Sequence, residues 1–182
     1  MCFISIGFIF IGILKLFNKY IEKFSDKETE KEILVLYKLH CEILDKFGIY
    51  EKIFSNTIYA EIVLNGASLI TQLLIISLNP RHELIYFSMS IMGSQVFIYC
   101  LFGQFIYSET ERISQKFYFT NWYEMNEENR KVILTMMTMA TRPFGLKAAG
   151  MYEINLILFL KVIKLCYTYY AILSKVKVLL IC

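Results

Sequence analysis

Apolar and polar residues follow one another along this chain in long blocks, and the longest apolar blocks predict helices that cross a membrane. Ile85–Tyr107 contains no charged residue, and Ala60–Leu78 contains a single acid near its start. A crossing helix needs about 20 mostly apolar residues, so both blocks are long enough. Ile154–Leu173 is also long enough but contains Lys161 and Lys164. The pattern predicts an all-α membrane protein with three transmembrane helices.

Two polar blocks flank these crossings and predict amphipathic helices outside the membrane. Residues 15–52 place apolar side chains at helical spacing among many charges, and residues 108–153 do the same. A short polar turn, residues 79–84, joins the first two crossings and contains Pro80, which breaks helices. The polar blocks are therefore expected to form a helical region beside the membrane.

The chain begins with a short apolar segment that carries no charge. Residues 2–14 are short for a crossing, so they predict either the core of a signal peptide or the stub of a longer helix. A signal peptide has its basic residues before the apolar core, whereas Lys15 and Lys19 follow it here, and we favour the helix stub. The predicted organisation is an apolar segment 1–14, a cytoplasmic amphipathic segment 15–55 and a membrane and anchor region 56–182.

Composition strengthens the membrane interpretation, and the distribution of charge predicts an orientation. Hydrophobic residues make up 57% of the chain and the mean hydropathy is +0.50, more apolar than ordinary soluble domains. Segment 15–52 has eight Lys and segment 108–153 has six Lys or Arg, while turn 79–84 has only Arg81. Because basic residues concentrate on the cytoplasmic side, both basic segments are expected in the cytoplasm and the C-terminus outside the cell.

Candidate chemistry is sparse and argues against an enzyme. The histidines are His40 and His82, and the sequence contains no HExxH, GxSxG, GxGxxG or P-loop motif. The five cysteines include no CxxC pair, so neither a disulfide framework nor a zinc site is predicted. Residues 40–42, His-Cys-Glu, point in different directions on a helix, which favours an ordinary histidine on a helix face over a metal ligand. Basic residues alternate with acids, so no nucleic-acid partner is expected, and no cofactor or metal is predicted.

The region after the second crossing carries a more specific order of features. Tyr118 and Trp122 are four residues apart and would stack on one face of a helix. Arg130 and Lys131 open an apolar helix that Pro143 closes. Taken alone, these features are typical of a packed amphipathic helix.

In combination, these features resemble the C-terminal region of the insect odorant receptors. The resemblance covers about residues 33–176 and is strongest from Tyr99 onward. Thr168 stands where that family favours Ser and keeps the hydroxyl group. The Gln-Phe pair that ends the related gustatory receptors is missing after Thr168-Tyr169, which favours the odorant branch. The remaining positions of the pattern are Phe97, Cys100, Gly103, Ser108, Glu109, Met137, Arg142, Ala149, Gly150, Phe159, Lys164 and Tyr167.

The resemblance implies a seven-helix receptor of the plasma membrane that acts in olfactory neurons. Insect odorant receptors assemble as hetero-tetramers with a co-receptor and form odorant-gated, non-selective cation channels. The three predicted crossings would be the fifth to seventh helices. Cytoplasmic helices over about 33–55 and 109–150 would anchor the subunits to one another. The resemblance assigns this anchor role to Tyr118, Trp122, Arg130, Met137 and Pro143.

The seventh helix lines the pore in this family, which offers an explanation for the two lysines. Counting about 100° per residue places Lys161, Lys164, Thr168 and Ile172 on one helix face. A face of this kind suits a water-filled conduit, and Ile172 with Val176 would form an apolar gate. The alternative is that Lys161 lies near the cytoplasmic boundary and extends its ammonium group to the interface.

The resemblance also suggests a ligand and an incomplete chain. Odorants of this family are small, volatile and apolar, and the candidate pocket residues on the sixth helix are Tyr86, Phe87, Met89, Ser90 and Ile91. These side chains suit membrane lipid and helix packing equally well. Because the family has seven crossings, a partial receptor is expected. A non-conducting membrane interaction protein or a truncated pseudogene product is the alternative.

Overall fold

The computed structural model of the protein describes residues 2–23, 30–78 and 83–181. The side chains of residues 2–4, 30, 78, 173, 174 and 176–181 lie outside this description. The elements in chain order are α1 (Cys2–Lys23), α2 (Glu30–Leu78), α3 (Glu83–Phe119), a 3₁₀ turn (Trp122–Glu124), α4 (Glu127–Ala140), β1 (Lys147–Ala148), β2 (Tyr152–Glu153) and α5 (Leu156–Ile181).

Two helices are longer than the sequence pattern predicts. The amphipathic segment and the first crossing form one uninterrupted helix, α2, of 49 residues. The second crossing continues without a break into the polar block, so that α3 has 37 residues. Each junction lacks proline, and a change from apolar to charged side chains does not by itself end a helix. The predicted turn at 79–84 lies largely outside the described residues.

The segment after α3 corrects one prediction and confirms another. α3 ends at Phe119, and Trp122 begins a 3₁₀ turn, so the expected stacking of Tyr118 on Trp122 is wrong. Their rings contact sequence neighbours instead, with Tyr118 against Phe119 and Trp122 against Tyr123. The apolar helix that was predicted from Arg130 is confirmed as α4, which ends before Pro143.

A small β-hairpin replaces the end of the predicted cytoplasmic helical region. Lys147 pairs with Glu153, and Ala148 pairs with Tyr152, in an antiparallel register. The turn between the strands requires left-handed backbone at Ala149 (φ 50°) and Gly150 (φ 71°). Glycine adopts this conformation at little cost, whereas a residue with a Cβ atom disfavours it.

The chain divides into two compact units. Unit 1 comprises residues 1–54 and 104–146, and unit 2 comprises residues 55–103 and 147–182. Among the side chains that the structure describes, the twelve largest fully buried ones all belong to unit 1. They are Leu14, Phe17, Ile21, Ile33, Leu36, His40, Ile106, Ile113, Phe117, Ile133, Met136 and Leu146.

Unit 2 has a thinner core and an apolar exterior. Its buried side chains include the small residues Val96 and Cys100, and it exposes large apolar side chains such as Leu64 (69%) and Phe87 (70%). Within the described part of the chain, α2 and α3 are the helices long and apolar enough to cross a membrane, and 17% of the most apolar window of each is buried. An all-α membrane protein is therefore supported, while a third crossing in α5 stays a prediction.

Candidate functional site

The residues predicted on one face of α5 do share an exposed face. Lys161, Lys164, Thr168 and Ile172 are all exposed, the last by 53%. The Thr168 hydroxyl donates to the Lys164 carbonyl oxygen of its own helix at 2.9 Å. Val176 lies in α5, but its side chain is outside the described part.

The opposite face of α5 packs within unit 2. Cys166 is buried, and its sulfur atom lies 4.0 Å from the carbonyl oxygen of Gly66 on α2. Nearer the start of α5, the ring of Phe159 lies 5.2 Å from the ring of Phe97 on α3. The helix is therefore two-sided, with one side packed on the protein and an exposed side. The exposed side carries ammonium and hydroxyl groups together with large apolar side chains such as Leu160 (56%) and Tyr167 (70%).

Two close approaches fix the segment that enters α5. Gly103 on α3 lies directly against Ile154, and a Cβ atom at this glycine would overlap the Ile154 carbonyl oxygen. Asn155 then caps α5, because its side-chain oxygen accepts a hydrogen bond from the Leu158 amide at 2.9 Å. Glycine at position 103 is therefore required by packing.

Ser55 on α2 holds the hairpin that precedes this segment. Its side chain is buried in unit 2, and its hydroxyl donates to the Lys147 carbonyl oxygen at 2.8 Å. The same oxygen accepts a hydrogen bond from the Gly150 amide at 3.2 Å, and the Ser55 carbonyl accepts one from the Ala149 amide at 3.4 Å. Sequence reasoning missed Ser55, because a serine within a helix normally bonds to its own backbone and gives no signal of a distant partner.

Unit 1 contains a polar network between α1 and α3. The buried Asn18 side chain donates to the backbone and carboxylate oxygens of Glu109 at 2.9 and 3.1 Å. Arg112 reaches the same carboxylate at 3.2 Å. Lys116 donates to the Asn18 carbonyl at 3.0 Å and pairs with Glu22 at 2.8 Å, and this contact lowers the pKa of Glu22. The network satisfies the Asn18 side-chain nitrogen, whereas the Asn18 side-chain oxygen is buried without a hydrogen-bond partner.

His40 is an aromatic member of the unit 1 core. Its ring stacks on Phe17 with centroids 5.7 Å apart and meets the edge of Phe117 at 5.8 Å. Burial lowers the pKa of His40 below its ordinary value of 6.5. The ring also borders a cavity of about 10 Å³, room for one water molecule, together with Thr110 and Phe144. The described residues contain no cluster of three or more metal-ligand side chains.

The five predicted anchor residues all lie in unit 1. Tyr118 is 65% exposed, Trp122 and Arg130 are partly buried, and Pro143 borders the His40 cavity. Met137 is partly buried, whereas its neighbour Met136 is the methionine of the core. The structure thus places these residues in one unit without gathering them into a single patch.

The five candidate pocket residues are spread around α3. Consecutive helix positions differ by about 100°, so they cannot all line one wall. Phe87 and Ile91 share an exposed face, and Tyr86 and Ser90 share another. The Ser90 hydroxyl donates to the Tyr86 carbonyl at 3.1 Å. Met89 is partly buried.

Comparison with known proteins identifies the family. The family profile described as 7tm Odorant receptor matches residues 1–167, which includes the N-terminal segment that the resemblance did not cover. Odorant receptor 33c of Drosophila melanogaster is 29% identical over 85 residues, 46% of this chain and 22% of the relative. Odorant receptor 43b of the same fly is 22% identical over 148 residues, 79% of this chain and 36% of the relative.

A co-receptor is among the relatives as well. The Odorant receptor coreceptor of Aedes aegypti is 25% identical over 84 residues, 46% of this chain and 18% of the relative. The aligned part of the chain thus spans no more than 36% of the length of these relatives. Because the family profile matches most of the chain, from α1 through the first half of α5, the protein belongs to the 7tm Odorant receptor family.

Proposed function

We propose that this chain is part of an odorant receptor subunit that forms a ligand-gated, non-selective cation channel with a co-receptor. The observation that carries the proposal is the two-sided construction of α5. One side packs through Cys166 and Phe159, and the other exposes ammonium and hydroxyl groups among apolar side chains such as Leu160. A helix with charged groups along an exposed side is costly to surround with lipid, so this side is best placed against water.

In this proposal the exposed side of α5 lines the conduit. Lys161 and Lys164 lie in its first half, Thr168 follows, and Ile172 with Val176 forms an apolar constriction that gates by excluding water. Because lysine ammonium groups repel cations, the proposal places them where the conduit is wide or where the other subunits lower the positive charge around it. In the competing arrangement, Lys161 extends its ammonium group to the membrane interface.

Unit 1 would serve as the cytoplasmic anchor that joins subunits. It contains 13 of the 19 basic residues, and basic residues concentrate on the cytoplasmic side of membrane proteins. Its core is built from large buried side chains, as in proteins that fold in water. Tyr118, Trp122, Arg130, Met137 and Pro143 are the proposed contact residues of this anchor.

The proposed ligand is a small, volatile, apolar molecule. Phe87 and Ile91 share one exposed face of α3, which suits an apolar ligand, and Ser90 offers a hydroxyl on the adjacent face. Membrane lipid would contact the remaining exposed apolar surface of unit 2.

The test is to co-express the full chain with an odorant co-receptor and record currents from Lys164→Gln and Ile172→Ser. Removing a positive charge from the conduit should raise the relative permeability to cations by roughly twofold to threefold. A polar residue at the constriction should increase the current without ligand, because it is easier to hydrate. Lys38→Gln, an exposed lysine of unit 1, is the matched control.

Unchanged currents with intact assembly would contradict the pore assignment. That result would instead support a membrane interaction protein that assembles through unit 1 and conducts nothing. Assembly is measured separately, by co-purification of the tagged chain with the co-receptor.

A further inference from the structure

The hairpin before α5 depends on one buried hydroxyl group. Ser55 donates to the Lys147 carbonyl oxygen at 2.8 Å and accepts from the Gly150 amide at 3.2 Å. The hydroxyl therefore bridges the first strand and the turn of the hairpin. Ser55 is only 8% exposed, so little water is available to replace either hydrogen bond.

The turn needs this support because its backbone is unfavourable. Ala149 has a φ of 50°, a left-handed conformation that a residue with a Cβ atom disfavours. Its amide donates to the Ser55 carbonyl at 3.4 Å, so the same residue of α2 also holds the strained position. An alanine at position 55 keeps this backbone bond but loses both bonds of the hydroxyl, which gives the turn a local reason to relax to another conformation.

No flexible loop separates the hairpin from α5. The second strand ends at Glu153, Ile154 is buried against Gly103, and Asn155 caps the helix through the Leu158 amide. Because only Ile154 and Asn155 connect the hairpin to α5, we expect a displacement of the hairpin to displace the first turn of α5 as well.

We infer that Ser55 is a positioning residue that sets the pose of α5 by holding the 147–153 hairpin through its hydroxyl group. It touches neither the exposed side of α5 nor a ligand, and it acts through the backbone that leads into the helix. With the proposed channel function, on which this half of the inference rests, Ser55 controls which side chains α5 presents to the conduit. Loss of the hydroxyl would then alter gating rather than only the amount of channel.

The first experiment measures amide hydrogen exchange in the full chain, purified in lipid nanodiscs, for Ser55→Ala and Ser55→Thr. In the alanine variant, exchange should become about fivefold to tenfold faster at Ala149 and Gly150 and in the first turn of α5, at Leu158 and Phe159. Threonine keeps the hydroxyl and should restore slow exchange. Ser94→Ala is the matched control, because the Ser94 hydroxyl bonds only within its own helix, to the Ile91 carbonyl.

Two results would overturn the inference. One is wild-type exchange throughout the alanine variant, and the other is faster exchange confined to the hairpin while Leu158 and Phe159 remain unchanged. If the alanine variant does not fold, Ser55→Cys takes its place under the same criteria. Cysteine fills similar space but forms weaker hydrogen bonds.

The second experiment records currents from the full chain with a co-receptor. The ratio of ligand-evoked to ligand-independent current should change by about fivefold in Ser55→Ala and return with Ser55→Thr. A purely structural loss of assembled channels would lower both currents together and leave the ratio unchanged, which would overturn the gating role. Absence of current from the wild-type pair would contradict the proposed function, whereas the exchange experiment would still decide the positioning role.

Discussion

Unit 1 and unit 2 both contain segments of α2 and α3, yet most of the charged residues lie in unit 1. Unit 1 holds 13 of the 19 basic and 13 of the 16 acidic residues, which leaves six basic and three acidic residues for unit 2. Ion pairs between described side chains, such as Lys116–Glu22 and Arg112–Glu109, belong to unit 1. One helix can therefore pass from a charged environment to an apolar one without a break in its backbone.

The two units also differ in what they bury. Unit 1 buries its largest core side chains completely, which is the arrangement that the hydrophobic effect stabilises in water, although it also exposes Leu16 (69%) and Phe119 (81%). Unit 2 also exposes large apolar side chains, it has none of the twelve largest fully buried side chains among the described residues, and its helices approach closely at Gly103 and Cys100. Helices in lipid gain little from hiding apolar surface and associate through close packing instead. We therefore expect different forces to stabilise the same helices in the two units.

The largest expected effect comes from removing a core ring of unit 1. Phe117→Ala should lower the free energy of unfolding by about 3–5 kcal/mol, because Phe117 is fully buried against Phe17 and His40. Chemical denaturation in detergent, followed by the emission of Trp122, measures it. Phe87→Ala in unit 2 is the control and should change stability by no more than about 0.5 kcal/mol. Equal losses in the two variants would contradict a denser core in unit 1 than in unit 2.

A smaller effect is expected from adding one methyl group to unit 2. Gly103→Ala should destabilise the start of α5 by about 1–3 kcal/mol, because the new Cβ atom overlaps the Ile154 carbonyl oxygen. Gly93→Ala on the same helix meets no atom within 4 Å and should be neutral or slightly stabilising. Hydrogen exchange at Leu158 compares the two variants, and similar protection in both would refute close packing as the stabilising force of unit 2.

Acid should weaken unit 1 through His40. The folded-state pKa of His40 is lowered by burial, so its contribution to stability is present above 6.5, the ordinary value, and is lost as the pH falls below that value. The slope from one group cannot exceed about 1.4 kcal/mol per pH unit. Denaturation midpoints between pH 7.5 and pH 5.5, on the order of one unit either side of the histidine value, measure it. His40→Gln should flatten the profile, and an unchanged profile in that variant would assign the acid sensitivity elsewhere.

The smallest effect is expected at the exposed end of the polar network. Glu22→Gln removes the partner of Lys116, but Lys116 keeps its hydrogen bond to the Asn18 carbonyl. Water and salt screen exposed ion pairs, so the change should be close to the error of a denaturation experiment and should shrink further in high salt. A loss as large as that of Asn18→Ala would show that the surface pair, rather than the buried amide, holds α1 to α3.

Much of the helical content could be read from the sequence, because apolar periodicity and block length are local properties. The common face of Lys161, Lys164 and Thr168 follows from the helical repeat alone. The helix ends were harder to predict. Asn121 was a weak signal that α3 stops before Trp122, and an aromatic spacing typical of a helix led instead to the wrong stacking.

The hairpin and its support were beyond sequence reasoning for a different reason. Ser55 and Gly150 are 95 positions apart, and a serine within a long helix normally bonds to its own backbone. Only the fold brings the two together. What lies opposite the exposed side of α5 depends on other helices or subunits, and it stays a prediction.

The Gly103 codon should show whether natural selection still maintains this gene. Because no other side chain fits against Ile154, a population that relies on this protein should carry very few replacements at that codon. A copy released from selection would accumulate them there as readily as at Gly93, where a side chain has room. Counting natural variants at these two codons would therefore separate a working receptor gene from a decaying one without a single electrical recording.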